Sequence, residues 1–85
     1  MITAGQIRAS RALLGIDQRQ LASLAGVSLP TVQRMEACEG TVRGMIESLT
    51  KIVGALEAAG IDLIPENAPS AGGGRGVRLR APRNA

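Results

Sequence analysis

Few side chains in this chain are suited to catalysis or metal binding. The sequence contains no histidine, which is the most common general base and metal ligand, and a single cysteine, Cys38. One cysteine alone cannot form a disulfide within the chain or a zinc site. We therefore expect a protein that is not an enzyme and needs no metal ion or cofactor, with Cys38 as a small, partly buried apolar side chain.

The charged side chains are distributed unevenly along the sequence. Residues 1–34 contain four arginines and one aspartate, and residues 65–85 contain four arginines and one glutamate, whereas residues 35–64 contain two basic and five acidic side chains. A basic amino-terminal segment is compatible with a surface that faces DNA, and equally with a solvated surface of mixed charge. Because the chain has no aromatic residue, domains that stack nucleic-acid bases on exposed rings are disfavoured.

The length of 85 residues leaves room for one small domain. Such a domain buries only about 60–65% of the surface of its unfolded chain, so dimerisation would be a natural source of further stability. No apolar run approaches the roughly 20 residues that span a bilayer, and the first residues lack the basic-then-apolar order of a signal peptide. Together with the single cysteine, this favours a cytoplasmic protein without membrane association.

A first helix is predicted over residues 3–14. Thr3 is its expected N-cap, and Gly15 follows its last residue. The positions that share its inner face, at i, i+4 and i+7, are Ile7, Arg11 and Leu14. An arginine on an inner face needs a carboxylate partner, because a lone buried charge is costly.

Two further short helices are predicted between residues 17 and 37. Asp17 is the expected N-cap of the second helix, which stops at Gly26, and Ser28 is the expected N-cap of the third, which has Pro30 in its first turn. The side chains expected to face inward from these two helices are Leu21, Ala22, Ala25, Val32 and Met35.

The strongest helical pattern covers residues 45–59. Its apolar stripe at 3–4 spacing consists of Met45, Ile46, Leu49, Ile52, Val53 and Leu56. After Gly60 the period changes, and residues 61–64 and 76–80 alternate in the manner of two short strands joined by a Gly-rich loop. Residues 81–85 are expected to be a disordered end.

A specific pattern of residues runs from Gln18 to Glu36. It reads Gln18-x-x-Leu21-Ala22-x-x-Ala25-Gly26-Val27-Ser28-x-x-Thr31-Val32-x-x-Met35-Glu36. The pattern resembles the helix-turn-helix of the phage-repressor (Cro/C1, or Xre) family, and the resemblance covers about residues 3–60. In that family the second helix of the pair lies in the DNA major groove. The alternative is a generic helical bundle with the same glycine and alanine spacing.

The resemblance implies a partner for the inward arginine. In the family, an arginine late in the first helix pairs with a glutamate at the end of the recognition helix. The matching residues here are Arg11 and Glu36. We expect them to form a structural ion pair.

The resemblance also implies a set of DNA contacts. Gln18 matches a residue that hydrogen-bonds a phosphate at a helix N-terminus, and Arg19 would either add a phosphate contact or lie in solvent. Arg43 lies before the fourth helix, where relatives often contact the DNA backbone. The matching residues on the exposed face of the recognition helix, residues 28–37, are Ser28, Leu29, Pro30, Thr31, Gln33 and Arg34.

Base recognition is expected to rest on few of these side chains. Gln33 can pair with adenine N6 and N7, and Arg34 with guanine O6 and N7. Leu29 and Pro30 depart from the family, because well-studied phage repressors carry polar base-reading residues there. Leu29 offers only apolar contact, for example to a thymine methyl group, and Pro30 offers no donor. Specificity for each half-site would then be modest, which makes dimeric binding more necessary.

The predicted hairpin, residues 61–80, lies outside the family's DNA-binding domain, residues 1–60. An isolated two-stranded hairpin is marginally stable in water, and its open edges recruit other strands. We therefore expect it to pair with a second chain and form a homodimer, although it could instead fold back on its own fourth helix. The side chains expected at the dimer interface are Ile61, Leu63, Val77 and Leu79.

These features predict an all-α fold: a four-helix, phage-repressor-like helix-turn-helix domain with a short C-terminal β-hairpin. The expected function is sequence-specific binding of double-stranded DNA by a dimeric transcriptional repressor. Two alternatives involve a protein partner. One is an antitoxin that binds a toxin through the hairpin and tail, and the other is a regulator whose helix-turn-helix binds an activator protein instead of DNA.

Overall fold

The structure of the chain, a computed structural model, describes residues 2–42, 45–65 and 74–80. In these ranges the elements follow the order α1 (Ala4–Leu14), α2 (Gln18–Ala25), α3 (Leu29–Glu36), α4 (Ile46–Ala58), β1 (Ile61–Ile64) and β2 (Gly76–Leu79). The prediction of a small helical domain with a short β-hairpin is confirmed. Arg43 and the predicted disordered end, residues 81–85, lie outside the described residues.

Side chains close in sequence define where the first three helices begin. The Thr3 hydroxyl accepts a hydrogen bond from the Gln6 backbone N–H at 3.1 Å, and the Gln6 side chain accepts one from the Thr3 N–H at 2.9 Å. Asp17 and Gln20 form the same reciprocal pair before α2, and the Ser28 hydroxyl caps α3. These bonds satisfy N–H groups that a helix leaves without partners, and they confirm the three predicted N-caps.

Two glycines end α1 and α2 and let the chain turn sharply. Gly15 and Gly26 have φ angles of 69° and 71°, in the left-handed region where glycine carries no steric penalty. Only Val27 and Ser28 separate Gly26 from α3. The fold therefore contains two consecutive eight-residue helices joined by a tight turn.

One apolar core lies between the helices. All four contribute completely or almost completely buried side chains, namely Ile7, Leu21, Val32, Met35, Leu49, Ile52 and Leu56. Burying each aliphatic side chain contributes about 1.5–3 kcal/mol, so the stability of the domain depends on every helix. Within the described ranges, no helix has the length and apolar character needed to cross a membrane.

The amino-terminal end of α4 differs from the prediction at Ile46. This side chain was expected on the buried stripe, but it is 74% exposed. Successive residues of an α-helix are about 100° apart around its axis, so the direction shared by Leu49, Ile52 and Leu56 leaves Ile46 to one side. The helix also begins one residue later than predicted, after Met45, which has a φ of 50°.

The hairpin packs against the helices of its own chain. Ile61 pairs with Leu79 and Leu63 pairs with Val77, so all four side chains lie on one face of the antiparallel sheet. Ile61 is completely buried in the core, Leu63 and Val77 are partly buried against it, and Leu79 is 41% exposed. The placement of Ile61 at a dimer interface is therefore wrong, because its side chain already fills the core of the single chain.

A buried glutamine joins α1 to both strands. The Gln6 side-chain nitrogen Nε2 donates hydrogen bonds to the backbone carbonyls of Ile64 and Gly76, each at 3.0 Å. Gln6 is only 5% exposed, so these bonds satisfy an amide that would otherwise be buried without partners. They give a short hairpin, which is marginal by itself, a fixed position on the helical domain.

Candidate nucleic-acid interface

The inner sides of α2 and α3 hold the two helices against each other. Leu21 and Ala22 of α2 and Val32 and Met35 of α3 are all buried, and the small Ala22 side chain allows a close approach. The Val27 N–H donates to the Ala22 carbonyl at 3.0 Å, which closes the turn between the helices. The position of α3, and of the residues on its outer side, is therefore fixed by packing against α2.

The outward face of α3 carries four residues in helical register. Pro30, Gln33, Arg34 and Ala37 follow the spacing i, i+3, i+4 and i+7, and all four are exposed. Of the six side chains predicted on the exposed recognition face, Ser28, Pro30, Gln33 and Arg34 are exposed, whereas Leu29 and Thr31, which flank this stripe, are half-buried. Among the four residues of the stripe, Gln33 and Arg34 have side chains with hydrogen-bond donors.

The polar groups at the centre of this face have no partners within the described part of the chain. The Gln33 amide forms no hydrogen bond there, and neither Arg34 nor the exposed Arg19 forms an ion pair. By contrast, the hydroxyls of Ser28 and Thr31 lie 2.8 Å apart, and Ser28 also accepts the Thr31 N–H at 3.2 Å. No described residue occupies the side chains of Gln33, Arg34 and Arg19, whereas the hydroxyls of Ser28 and Thr31 already make hydrogen bonds at the start of α3.

The predicted pair of Arg11 and Glu36 forms at the end of α3. Arg11 Nε lies 2.7 Å from Glu36 Oε2, and Arg11 Nη2 lies 2.7 Å from Glu36 Oε1. The glutamate side chain is 4% exposed and that of the arginine 20%. Two parallel charge-assisted bonds of this kind are strong and directional. The hydrogen bond to Glu36 raises the pKa of Arg11 above its ordinary value, although burial of the arginine opposes the rise.

Two further donors, neither of them predicted from the sequence, complete the surroundings of Glu36. Gln18 Nε2 donates to Glu36 Oε1 at 3.1 Å, and Arg8 Nη1 donates to the Glu36 backbone carbonyl. Arg8 lies three residues before Arg11, on neighbouring positions of one α1 surface, which is the signal that would have indicated it. Glu36 therefore connects α3 to both α1 and α2.

Gln18 has a structural role in addition to its predicted one. It is the first residue of α2, next to the Asp17 cap, and it is partly exposed. Its side-chain amide carries two hydrogens, and one of them is used by Glu36. The predicted phosphate contact would therefore use the second hydrogen.

Exposed apolar side chains are also present on α2 and α3. Leu24 on α2 is 60% exposed, and Pro30 on α3 is exposed. Cys38, just beyond α3, is half-buried, and its Sγ lies 3.4 Å from the Arg34 carbonyl oxygen. Among the described residues, no three histidine, cysteine, aspartate or glutamate side chains are grouped so that they could hold a metal ion.

Comparison of the chain with protein-family models and with curated protein sequences finds no match.

Proposed function

We propose that this chain is a sequence-specific DNA-binding transcriptional regulator that places α3 in the major groove. The segment from Gln18 to Glu36 resembles the helix-turn-helix of phage repressors, with α2 as the supporting helix and α3 as the recognition helix. The major groove is about 12 Å wide and admits one α-helix. An eight-residue helix supported along its inner side, as α3 is, suits this role.

The observation that carries the proposal is the unpartnered pair Gln33 and Arg34 on the outward face of α3. Glutamine can make two hydrogen bonds to adenine, and arginine can make two to guanine. Their exposure excludes an interior role for these side chains, and with the residues that the structure describes they form no salt bridge that would explain them as part of the fold. Arg19, and the second amide hydrogen of Gln18, would bind phosphates beside the groove.

The proposed regulator acts as a cytoplasmic dimer that represses transcription. With two base-reading side chains on each α3, one half-site supplies modest specificity, and two half-sites in one dimer supply more. Bound across a promoter, such a dimer excludes the polymerase.

The test is binding of the purified chain to a labelled duplex from the region upstream of its own coding sequence, followed by fluorescence anisotropy. A shuffled duplex of the same composition serves as the reference. We expect tighter binding to the upstream duplex and a steep loss of affinity as salt increases, since phosphate contacts release counterions. Equal affinity for both duplexes at every salt concentration would remove the claim of sequence specificity.

The second candidate is a regulator that binds a protein, either an antitoxin or an inhibitor of an activator. The specific observation that favours it is the exposure of two apolar side chains, Leu24 on α2 and Pro30 on α3, because interface cores are enriched in apolar groups and depleted in charge. Leu24→Asp separates the two functions. Full DNA binding by this variant, with loss of the biological activity, would favour a protein partner.

A further inference from the structure

A second surface, separate from the outward face of α3, runs along the outer side of α4. It is an open groove of about 440 Å³, mostly apolar, and its walls include Ile46, Leu49, Thr50, Val53 and Gly54. Ile46 at one end is 74% exposed, the largest exposure among the large apolar side chains that the structure describes. No element of the described chain covers the groove. We propose that a second copy of this chain binds here, with the two α4 helices antiparallel about a two-fold axis at Thr50.

The shape of α4 is self-complementary about Thr50. Ile46 lies one turn before Thr50 and Gly54 one turn after it, on either side of the same helix face. A two-fold axis at Thr50 brings Ile46 of one chain to the level of Gly54 of the partner subunit. Gly54 has no side chain, and nothing lies within 4 Å of the position that a Cβ atom would occupy. The bulky side chain at one end therefore meets an open notch at the other, twice in the dimer.

The charges beside the groove are complementary under the same symmetry. Glu47 and Lys51 are exposed on one flank of α4, and neither forms an ion pair with any residue in the described ranges. In an antiparallel pair centred on Thr50, Glu47 lies within about 3 Å, measured along the axis, of the level of the partner's Lys51. Two opposite-charge pairs thus flank the apolar centre. If the two-fold axis passes through any other position along α4, Ile46 lies opposite a residue that is larger than glycine.

Two other occupants fit less well. The hairpin cannot supply the interface through Ile61, which is completely buried in its own chain. Residues 81–85, which lie outside the described residues, read Ala-Pro-Arg-Asn-Ala and contain no large apolar side chain that could fill an apolar groove.

The proposed contact is small, and it is compatible with the candidate DNA surface. A 13-residue helix is about 20 Å long, so one helix pair falls below the standard interface of roughly 800 Å² per partner, and the dimer is expected to be weak. α4 packs on α2 and β1, while α3 packs on α1 and α2, so a partner bound at the α4 groove does not use the outward face of α3. The α4 interface would supply the dimer that the proposed DNA-binding function requires, but the observations that support it all concern α4.

Sedimentation equilibrium of the full chain without DNA, from micromolar to near-millimolar concentrations, tests the proposal. We expect a reversible monomer–dimer equilibrium. Ile46→Glu should weaken dimerisation at least tenfold, and Leu79→Glu, a matched change at an exposed leucine on the hairpin, should leave it unchanged. A parent chain that stays monomeric, or a dimer lost only in Leu79→Glu, would overturn the proposal.

Gly54→Leu separates dimerisation from folding. Leucine is a far better helix former than glycine, so this variant should melt at a higher temperature as a monomer. Because the new side chain fills the notch for Ile46, the variant should also lose the dimer. A more stable variant that still dimerises like the parent would contradict the proposed packing.

Exchange of the flanking charges tests the antiparallel direction. Glu47→Lys and Lys51→Glu should each weaken the dimer several-fold at low salt, and the double variant should recover most of the loss. Absence of recovery would contradict the antiparallel arrangement. Because these measurements contain no DNA, their outcome is independent of whether the chain binds DNA.

Discussion

Glu36 is the residue at which three helices meet. Its carboxylate accepts hydrogen bonds from Arg11 of α1 and Gln18 of α2, and its backbone carbonyl accepts one from Arg8. The carboxylate is nearly inaccessible to water, so these donors replace its hydration. The orientation of α3, and with it the direction of Gln33 and Arg34, depends on this arrangement.

Arg11→Ala is expected to destabilise the fold by about 3 kcal/mol. The substitution leaves the buried Glu36 carboxylate without its charged partner, and the loss should lie at the lower end of the range for broken buried pairs because Arg11 keeps 20% exposure. Urea denaturation followed by circular dichroism measures the change. Arg19→Ala, at an exposed arginine that forms no ion pair with any described residue, is the control and should shift stability by less than about 0.5 kcal/mol. Equal midpoints for the two variants would contradict the structural role of the pair.

The pH dependence of this interaction follows from the raised pKa of Arg11. A cation whose pKa is higher in the folded than in the unfolded chain contributes stability below its unfolded pKa and loses it as the pH rises through the folded value. Both values lie in the strongly alkaline range for an arginine. Titration of Arg11 should therefore leave the free energy of unfolding unchanged across neutral pH.

Two arginines should affect DNA binding in different ways. Arg34→Ala should cost about 1–3 kcal/mol on a specific site and relax the preference at one base position, because it removes a contact to a base edge. Arg19→Ala should weaken binding to all sequences alike and lower the salt slope by about 1, because it removes a phosphate contact. Anisotropy titrations on specific and shuffled duplexes separate these effects, with Arg78→Ala on the hairpin as the control. Identical losses for both variants on both duplexes would show that the two roles are wrongly assigned.

At the residue scale, the sequence predicted contacts that the family pattern contains. Arg11 was placed on an inner face by helical spacing, and the resemblance supplied Glu36 as its partner. Arg8 was missed as a donor to Glu36, although its spacing of three residues from Arg11 places both on one surface of α1. Gln18 was missed as a second donor to the carboxylate, because the approach of α2 to Glu36 depends on tertiary packing that spacing does not encode. Gln6 was missed as the link between α1 and the hairpin for the same reason.

At the scale of elements, the Gln6 hydrogen bonds are expected to hold the hairpin on the helices. Gln6→Ala removes two buried bonds, to Ile64 and Gly76, and half of the capping arrangement with Thr3. Leaving those groups unsatisfied should cost about 1–3 kcal/mol. Hydrogen exchange should show faster exchange in β1 and β2 than in α4. Equal acceleration throughout the chain would mean that the hairpin and the helices open as one unit.

Two paired residues on the apolar face of the hairpin, Ile61 and Leu79, should differ strongly in their effect on stability. Ile61→Ala should destabilise the fold by about 2–5 kcal/mol, because it opens a cavity in the core. Leu79→Ala, opposite it in the sheet but 41% exposed, should cost much less. Thermal melts of the two variants measure the difference. Similar melting temperatures would contradict the placement of Ile61 in the core of the single chain.

Helix ends were more predictable than the packing of elements. Thr3, Asp17 and Ser28 make bonds within three residues of themselves, so the local sequence is enough to identify them as caps. The apolar alternation of Ile61 and Leu63 correctly indicated a strand with one apolar face. It could not indicate what that face covers, since a core of the same chain and the surface of a second chain are equally apolar. The exposure of Ile46 depends in the same way on where the core lies around α4.

At the scale of the whole molecule, the two proposed functions belong to different surfaces: DNA binding to the outward face of α3, and dimerisation to the groove along α4. The outward face of α3 offers hydrogen-bond donors to which no described residue binds, and the groove along α4 offers an apolar, self-complementary shape. A weak dimer through α4 would become tight on DNA that presents two half-sites, because binding of one subunit raises the effective concentration of the other. Variants of α4 should therefore reduce affinity for paired half-sites and leave affinity for a single half-site unchanged. Equal loss on both duplexes would contradict this division.

The most direct test of the central claim is selection of bound duplexes from a random-sequence pool by the parent chain and by Arg34→Ala in parallel. The claim that α3 reads bases predicts that the parent enriches a defined motif containing an invariant guanine. The variant should still fold and should enrich a motif in which only the preference at that position is lost. A parent chain that enriches no motif, or a variant that enriches the same motif with the guanine retained, would contradict base recognition through α3.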